Sequence, residues 1–367
     1  MLSKIEQQFK EDALRKNQPR AETVDWTYLQ EAFRAEGFGS LGWLDWPLEV
    51  EPEEDRRHRE RAFLSKSRRS MAPGLAWMES HRDLKYRPDR VLEGARGVLV
   101  AGIGYYREDE IDSNSTGQSG FGRVARYARG RDYHKELGGR LRRISRKLVN
   151  LLPEHSFRAF VDTGPLDEVW LAEASGLGFK GRNGLAIIQG LGSWVLLGHI
   201  VTTYAFGSVS GSTEGLAGCP PGCKRCINAC PNGALSVSGP LNATRCIAYM
   251  TIEHRGRLEY GEAMGDRIFG CDACQEACPF NSGIAETKAE GFRRDIAGAS
   301  LGLAEVAGIG NYRQMVEKFA GSVLMRAGVA NLKRNARAVA ANFERRGAMD
   351  LQDAGQRDYY PEADSNG

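Results

Sequence analysis

All eight cysteines of this 367-residue chain fall between Cys219 and Cys278. A secreted protein stapled by disulfides spreads its cysteines over the fold that they hold together. One dense block in a chain otherwise free of thiols points to metal instead.

The spacing narrows the metal. The first group reads Cys219-x3-Cys223-x2-Cys226-x3-Cys230-Pro231; after Cys246 comes Cys271-x2-Cys274-x3-Cys278-Pro279. Both groups close on C-x2-C-x3-C-P, the ending of the bacterial ferredoxin run, whose last cysteine ligates the other cluster. By that crossover one 4Fe-4S cluster takes Cys219, Cys223, Cys226 and Cys278. The other takes Cys230, Cys246, Cys271 and Cys274, and no cysteine is left over. The alternative is two structural zinc sites, which favour paired C-x2–4-C knuckles over a triplet followed by Cys-Pro. The Cys-Pro-Pro-Gly-Cys step at Cys219 is one residue longer than the rule, so it must bulge outward for both thiolates to reach one cube.

Composition sets the frame. Hydrophobic residues make up 41% and charged residues 26%, as in soluble globular chains, which excludes a wholly disordered or polytopic membrane protein. The longest nearly apolar stretch, Leu185 to Val201, carries Gln189, His199 and three glycines. It falls short of the ~20 apolar residues of a membrane helix. The N-terminal stretch lacks an apolar core and a small-residue cleavage site, so a cytoplasmic location is expected. The net charge of +3 says little, but Arg123 to Lys147 holds ten Lys or Arg against Asp132 and Glu136. Such a run either attracts a polyanion or is a solvated helix face.

Residues 1–90 read as mostly helical. Val98–Ile103 and Phe157–Asp162 read as strands, and Leu185–Ile188 with Trp194–Thr203 as a hairpin. Thr163-Gly164-Pro165 leads into a helix with Pro165 at its first position. Asp162 therefore stands where a strand gives way to a helix, a usual place for a ligand site. It reads either as a partly desolvated acid able to hold a proton near neutral pH or as a helix cap. From Ala304 to Phe343 apolar residues recur at helical spacing.

Several elements together carry a resemblance. They are Arg129-Gly130-Arg131-Asp132-Tyr133-His134, Phe160-Val161-Asp162-Thr163-Gly164-Pro165, Gly178-Phe179-Lys180-Gly181-Arg182-Asn183, Gly192-Ser193-Trp194, the cysteine groups with Asp272, and Arg334-Asn335-Ala336. From about Gly74 to Asn342 the chain resembles the epoxyqueuosine reductases, iron–sulfur enzymes of tRNA modification that use base-off cobalamin. The resemblance implies an α+β fold with a nitroreductase-like cobalamin-binding α/β domain, a ferredoxin-like two-cluster domain and C-terminal HEAT-like helices. The expected limits are 1–210, 211–290 and 291–350, with a polar tail at 351–367. It implies an oxidoreductase that converts epoxyqueuosine to queuosine at the wobble position of tRNA anticodons. Electrons pass through two 4Fe-4S clusters to cobalamin.

The family's proton donor maps onto Asp162. Cobalamin contacts are expected from Tyr133, His134, Lys180, Arg182, Asn183 and Asp272. Because the family keeps cobalt without a histidine ligand, His134 is expected to hydrogen-bond or meet substrate. Arg129, Arg131, His254, Arg255, Lys333 and Arg334 are expected to meet tRNA. The expected partners are the anticodon stem-loop and a small reductant such as ferredoxin or flavodoxin, with no membrane and a monomeric state. Three positions depart from the family's pattern: the x3 spacing, Arg182 in place of lysine, and His199 in place of glutamate. Two other readings use the same cysteines: a reductive dehalogenase-like enzyme and a non-catalytic two-cluster electron carrier. The carrier would leave the long stretch before Cys219 without a role.

Overall fold

The computed structural model describes residues 24–47, 80–108, 119–207, 218–237 and 241–357, with side chains described to residue 346. The ends of the chain, most of the Ala205–Gly218 boundary loop and the last residues of the polar tail lie outside the described residues. The described strands are β1 (Ser40–Asp45), β2 (Gly97–Gly104), β3 (Phe121–Val124), β4 (Phe157–Val161), β5 (Gly178–Lys180), β6 (Ala186–Ile188), β7 (Val195–Thr202), β8 (Arg267–Phe269) and β9 (Ser300–Gly302). The principal helices are α1 (Trp26–Ala35), α2 (Tyr133–Leu151), α3 (Glu168–Ala174), α4 (Ile247–Ile252), α5 (Leu303–Gly308), α6 (Tyr312–Phe319) and α7 (Gly328–Arg357). None of the described helices is long and apolar enough to cross a membrane.

A four-stranded sheet in the order β1-β2-β7-β4 forms the first layer, with every neighbouring pair antiparallel. The apolar run of β2 is explained by burial on both faces. Leu99, Ala101 and Ile103 join Leu137, Leu141, Ile144 and Leu148 of α2 on one side. Val98 and Val100 join Leu166, Trp170 and Leu171 beside α3 on the other. Each such side chain contributes about 1.5–3 kcal/mol by leaving water. The apolar residues of α2 recur every three or four positions, which turns most of its basic residues outward. Arg143 and Lys147 there face Glu36 at 2.7 and 3.8 Å, so much of the basic run is a solvated helix face.

The region before residue 90, read as mostly helical, also contains β1. One expectation needs correction. β6 and β7 do not form a hairpin ladder: β6 pairs with β5, while β7 lies between β2 and β4. The turn between them holds a single bridge, Ile188 to Gly192. Both runs are apolar and close in sequence, but β7 fills the centre of the large sheet and cannot also serve β6.

The second layer is a three-stranded sheet, β8-β3-β9. Its strands come from the three expected units. Its core, built on Ile268, Phe269, Leu301, Met315, Phe319, Leu332 and Ala336, takes Cys246 and Cys271 against its edge. Asn335 of α7 is 0% exposed and donates to the carbonyls of Thr251 and Ile268 at 2.8 and 3.0 Å. The cysteine block is thereby anchored to the C-terminal helices. Its other side docks on the start of β7. Asn281 accepts from the Ser193 N–H at 2.7 Å, and Gln275 donates to the Ser193 carbonyl at 2.7 Å. A Cβ at Gly192 would stand 2.1 Å from the Asn281 oxygen, which accounts for glycine in Gly-Ser-Trp.

Candidate active site

The thiols gather around two centres. Cys219, Cys223, Cys226 and Cys278 line one small cavity under Phe280. Cys230, Cys246, Cys271 and Cys274 line the wall of a larger chamber of about 460 Å³. Among the described residues, no three His, Cys, Asp or Glu side chains converge closely enough to hold a single ion, as a tetrahedral zinc would require. Burial, helped by the charges of Asp272 and Cys246 and opposed by Arg267, pushes Cys271 up to about 11. A bound metal relieves that resistance, because ligation takes the thiolate form.

The chamber lies between the end of the large sheet and the second thiol set. Its walls are largely apolar, with Val169, Val195, Leu196, Leu197, Ile247 and Ala248, and its volume is in the ~300–1,000 Å³ range of cofactor sites. Asn183 borders both this chamber and the first thiol cavity. Its side-chain nitrogen is buried without a hydrogen-bond partner, and such a group asks for a ligand. A corrin, apolar on its faces and amide-bearing at its rim, fits these walls.

Tyr133 and Asp272 also line the chamber. Asp272 accepts from the Arg126 N–H at 2.8 Å, and burial raises its carboxyl above the ordinary value. Three of the expected cofactor contacts lie elsewhere. Lys180 is exposed on β5 and gives its backbone N–H to Glu173. Arg182 turns to the first thiol set: its N–H reaches Cys219 Sγ at 3.4 Å and its guanidinium the Cys223 carbonyl at 2.8 Å. It thus braces the Cys-Pro-Pro-Gly-Cys bulge. His134 lines an open groove of about 520 Å³ with His81, Arg90, Arg142 and Arg158, and reaches the chamber only through Asp162.

Asp162 follows β4 at the chamber mouth. It has φ +44, the one positive φ among the described non-glycine residues, a conformation that costs about 1 kcal/mol or more. Oδ2 accepts from Tyr133 Oη at 2.6 Å, meets His134 Nε2 at 2.8 Å and receives Arg326 at 3.4 Å. Its backbone N–H donates to Glu168 Oε1 at 2.6 Å. The cap of α3 is Asp167, which accepts from the Trp170 N–H at 3.0 Å. The helix-cap reading of Asp162 is therefore wrong, and Pro165 precedes the helix rather than opening it.

The electrostatics also differ from expectation. Burial raises the Asp162 carboxyl, but hydrogen bonds from His134 and Tyr133 and the charges of His134 and Arg326 outweigh it and hold it below the ordinary value. Burial works against charge on His134 as well. There the hydrogen bonds and charges of Asp132 and Asp162 prevail and lift it to about 9. Both ring nitrogens face carboxylate oxygens at 2.8 Å, a geometry that only a doubly protonated ring satisfies as donor on both sides. The two carboxylates thus favour a proton on each ring nitrogen, against the Arg326 guanidinium, whose Nη1 also stands 3.1 Å from Nε2.

Of the residues expected to meet tRNA, Arg131 is exposed and Lys333 half-buried. Arg129 is 2% exposed and donates to the Val124 carbonyl, out of reach of a ligand. Arg334 spends its donors on the carbonyls of Met250, His254 and Gly256. Arg255 donates to the carbonyls of Ile252 and Arg326, and His254 Nε2 lies 2.8 Å from the Arg257 carbonyl. All three are thus engaged with backbone carbonyls, and Arg255 holds that of Arg326. Sequence reasoning passed over Arg326, Glu168, Arg90 and Arg158, whereas Arg142 fell within the basic run Arg123–Lys147. Arg326 was visible only as one basic residue among several in the C-terminal helices.

Two fourfold thiol sets, one of them walling a chamber with the Asp162–His134 pair at its mouth, define an iron–sulfur oxidoreductase that serves a large cofactor. Residues 85–163 match the family model described as epoxyqueuosine reductase QueG, DUF1730, and residues 219–281 match a 4Fe-4S double cluster binding domain. The chain is 39% identical over 222 residues to an epoxyqueuosine reductase of Xanthomonas campestris, covering 60% of this chain and 61% of that protein. It is 34% identical over 269 residues to one from Synechocystis, covering 72% of this chain and 89% of the relative. It also superposes on a crystal structure of selenomethionine-labelled epoxyqueuosine reductase (TM-score 0.77, 25% identity, 89% of this chain and 84% of the other). A similar match is to an epoxyqueuosine reductase with an epoxyqueuosine-modified tRNA-Tyr stem loop (TM-score 0.75, 25% identity, 89% and 84%). The chain belongs to the epoxyqueuosine reductase family.

Proposed function

We propose that this chain reduces epoxyqueuosine to queuosine in tRNA, with Asp162 delivering the proton to the epoxide oxygen and His134 holding it in reserve. The observation that carries the reading is the His134–Asp162 bond of 2.8 Å at the mouth of a thiol-walled chamber. Removing an epoxide oxygen as water takes two electrons and two protons. Cobalamin, when bound, supplies two-electron chemistry from electrons that the clusters pass singly. Tyr133, Asn183 and Asp272 border the cofactor, and the eight cysteines hold the two clusters.

The rest falls to the chain's own groups. Asp132 keeps the Nδ1 proton of His134 in place, so the Nε2 proton is the one that moves to Asp162 Oδ2. Tyr133 and Arg326 fix that oxygen. The apolar walls keep water from competing for the proton.

The direction of electron flow follows from exposure. The first thiol set lies beside the exposed Pro220–Gly222 loop and Lys224, where a small reductant protein can dock. The second set faces the chamber. Phosphates of the anticodon stem-loop meet Arg90, Arg142 and Arg158 of the open groove, with Arg131 nearby in sequence. The enzyme acts as a cytoplasmic monomer, and its units run 1–210, 211–290 and 291–350.

The test is anaerobic reconstitution with iron, sulfide and cobalamin, then incubation, with dithionite and methyl viologen as the electron source, with tRNA from a strain lacking this chain. Nucleosides are read by mass spectrometry. Queuosine should replace epoxyqueuosine, and intact epoxyqueuosine beside fully loaded cofactors would reject the reading.

A further inference from the structure

Beside Asp162, and bordering the chamber with it, stands a half-buried group that the proton transfer does not use. Glu168 opens α3, and its Oε1 accepts the Asp162 N–H at 2.6 Å. Across it on β7 stands His199, 1% exposed, 3.8 Å from the same oxygen, with neither ring nitrogen hydrogen-bonded. Burial, with the charge of Lys85 adding to it, pushes His199 down to about 3, so the ring is neutral and does not draw the carboxyl away. His199 is itself held in register opposite Phe160 of β4, its ring stacked on that of Phe160. The Val161–Gly164 turn has one hydrogen bond of its own, from the Gly164 N–H to the Val161 carbonyl at 3.2 Å. The left-handed backbone of Asp162 therefore leans on Glu168.

We propose that Glu168 is a positioning residue that clamps the Asp162 peptide N–H and so holds the Asp162 side chain against Tyr133 and His134. The catalytic half of this rests on the function proposed above; the clamp itself does not. In this geometry the carboxyl oxygen acts as an acceptor, so an amide oxygen at the same place serves as well. Loss of the acceptor frees a residue whose backbone is otherwise unfavourable, and the carboxylate leaves the proton path without any change at the surface that meets tRNA.

The experiment compares E168A and E168Q holoenzymes. Hydrogen exchange read residue by residue, without tRNA, should show the Asp162 amide exchanging about 10- to 100-fold faster in E168A. The amides of β4 and β7 should stay protected. With epoxyqueuosine tRNA, kcat should fall by a similar factor while KM holds, and E168Q should restore both readouts. Unchanged exchange at Asp162 in E168A, faster exchange throughout β7 and α3, or an E168Q as impaired as E168A would overturn the clamp. If the wild type fails to turn over tRNA, the functional reading fails while the exchange comparison still decides the clamp.

Discussion

Replacing Asp132 with asparagine isolates the charge that keeps His134 protonated. Asp132 caps α2 by accepting the His134 N–H at 3.0 Å and faces its ring Nδ1 at 2.8 Å. Asparagine caps helices as well as aspartate does, and its oxygen can still accept from Nδ1, so fold and geometry survive and one negative charge is lost. His134 is lifted from 6.5 to about 9 by two carboxylates acting against burial. Removing one should return about one unit, or about 1.4 kcal/mol, and leave His134 near ~8. Both side chains are only 20% exposed, so solvent screens little of this. The group works while protonated. Activity is therefore full below the folded value and lost as pH rises through it. Any stability that the pair contributes is likewise present below 6.5 and lost as pH climbs through about 9. Initial rates of queuosine formation from pH 6 to 10 read this directly. Wild type should decline around pH 9, and D132N should match it at low pH but decline about one unit earlier. A descending limb that stays put or moves upward refutes the proton's placement on His134.

Two further substitutions probe the frame. Asn335→Leu removes both donors to the Thr251 and Ile268 carbonyls and should cost about 2–4 kcal/mol, seen as a lower thermal midpoint. Arg182→Gln withdraws a positive charge from the first thiol set. The midpoint potential of one cluster should then fall by tens of millivolts in an electron-paramagnetic titration, with the other unmoved. Equal shifts in both would contradict the grouping of Cys219, Cys223, Cys226 and Cys278.

Local signals in the sequence were dependable where one element explains itself. The apolar run of β2 and the helical spacing from Ala304 to Phe343 each appear in the structure as read. The crossover also groups the thiols as the two cavities do. Failures came where a partner lies far along the chain. The run before Thr203 looked like half of a hairpin because its neighbour was apolar too; only the sheet order shows it claimed by β2 and β4. Arg129 is a different case: its partner, the Val124 carbonyl, is only five residues away, but a run of basic residues does not say which of them the fold buries. Arg326 reaches Asp162 across 164 positions, a contact that no pattern within a helix announces. Asp162 itself was legible by place, at the end of β4, but its charge state was not. Burial alone suggests a protonated acid, and the opposite outcome depends on Tyr133, His134 and Arg326 converging on one oxygen.

The most direct measurement is a single turnover of epoxyqueuosine tRNA by fully loaded Asp162→Asn protein. Iron and cobalamin content should match the wild type, tRNA should bind with unchanged affinity, and the epoxide should persist. Queuosine formed at the wild-type rate would contradict the assignment of Asp162 as the group that protonates the oxygen.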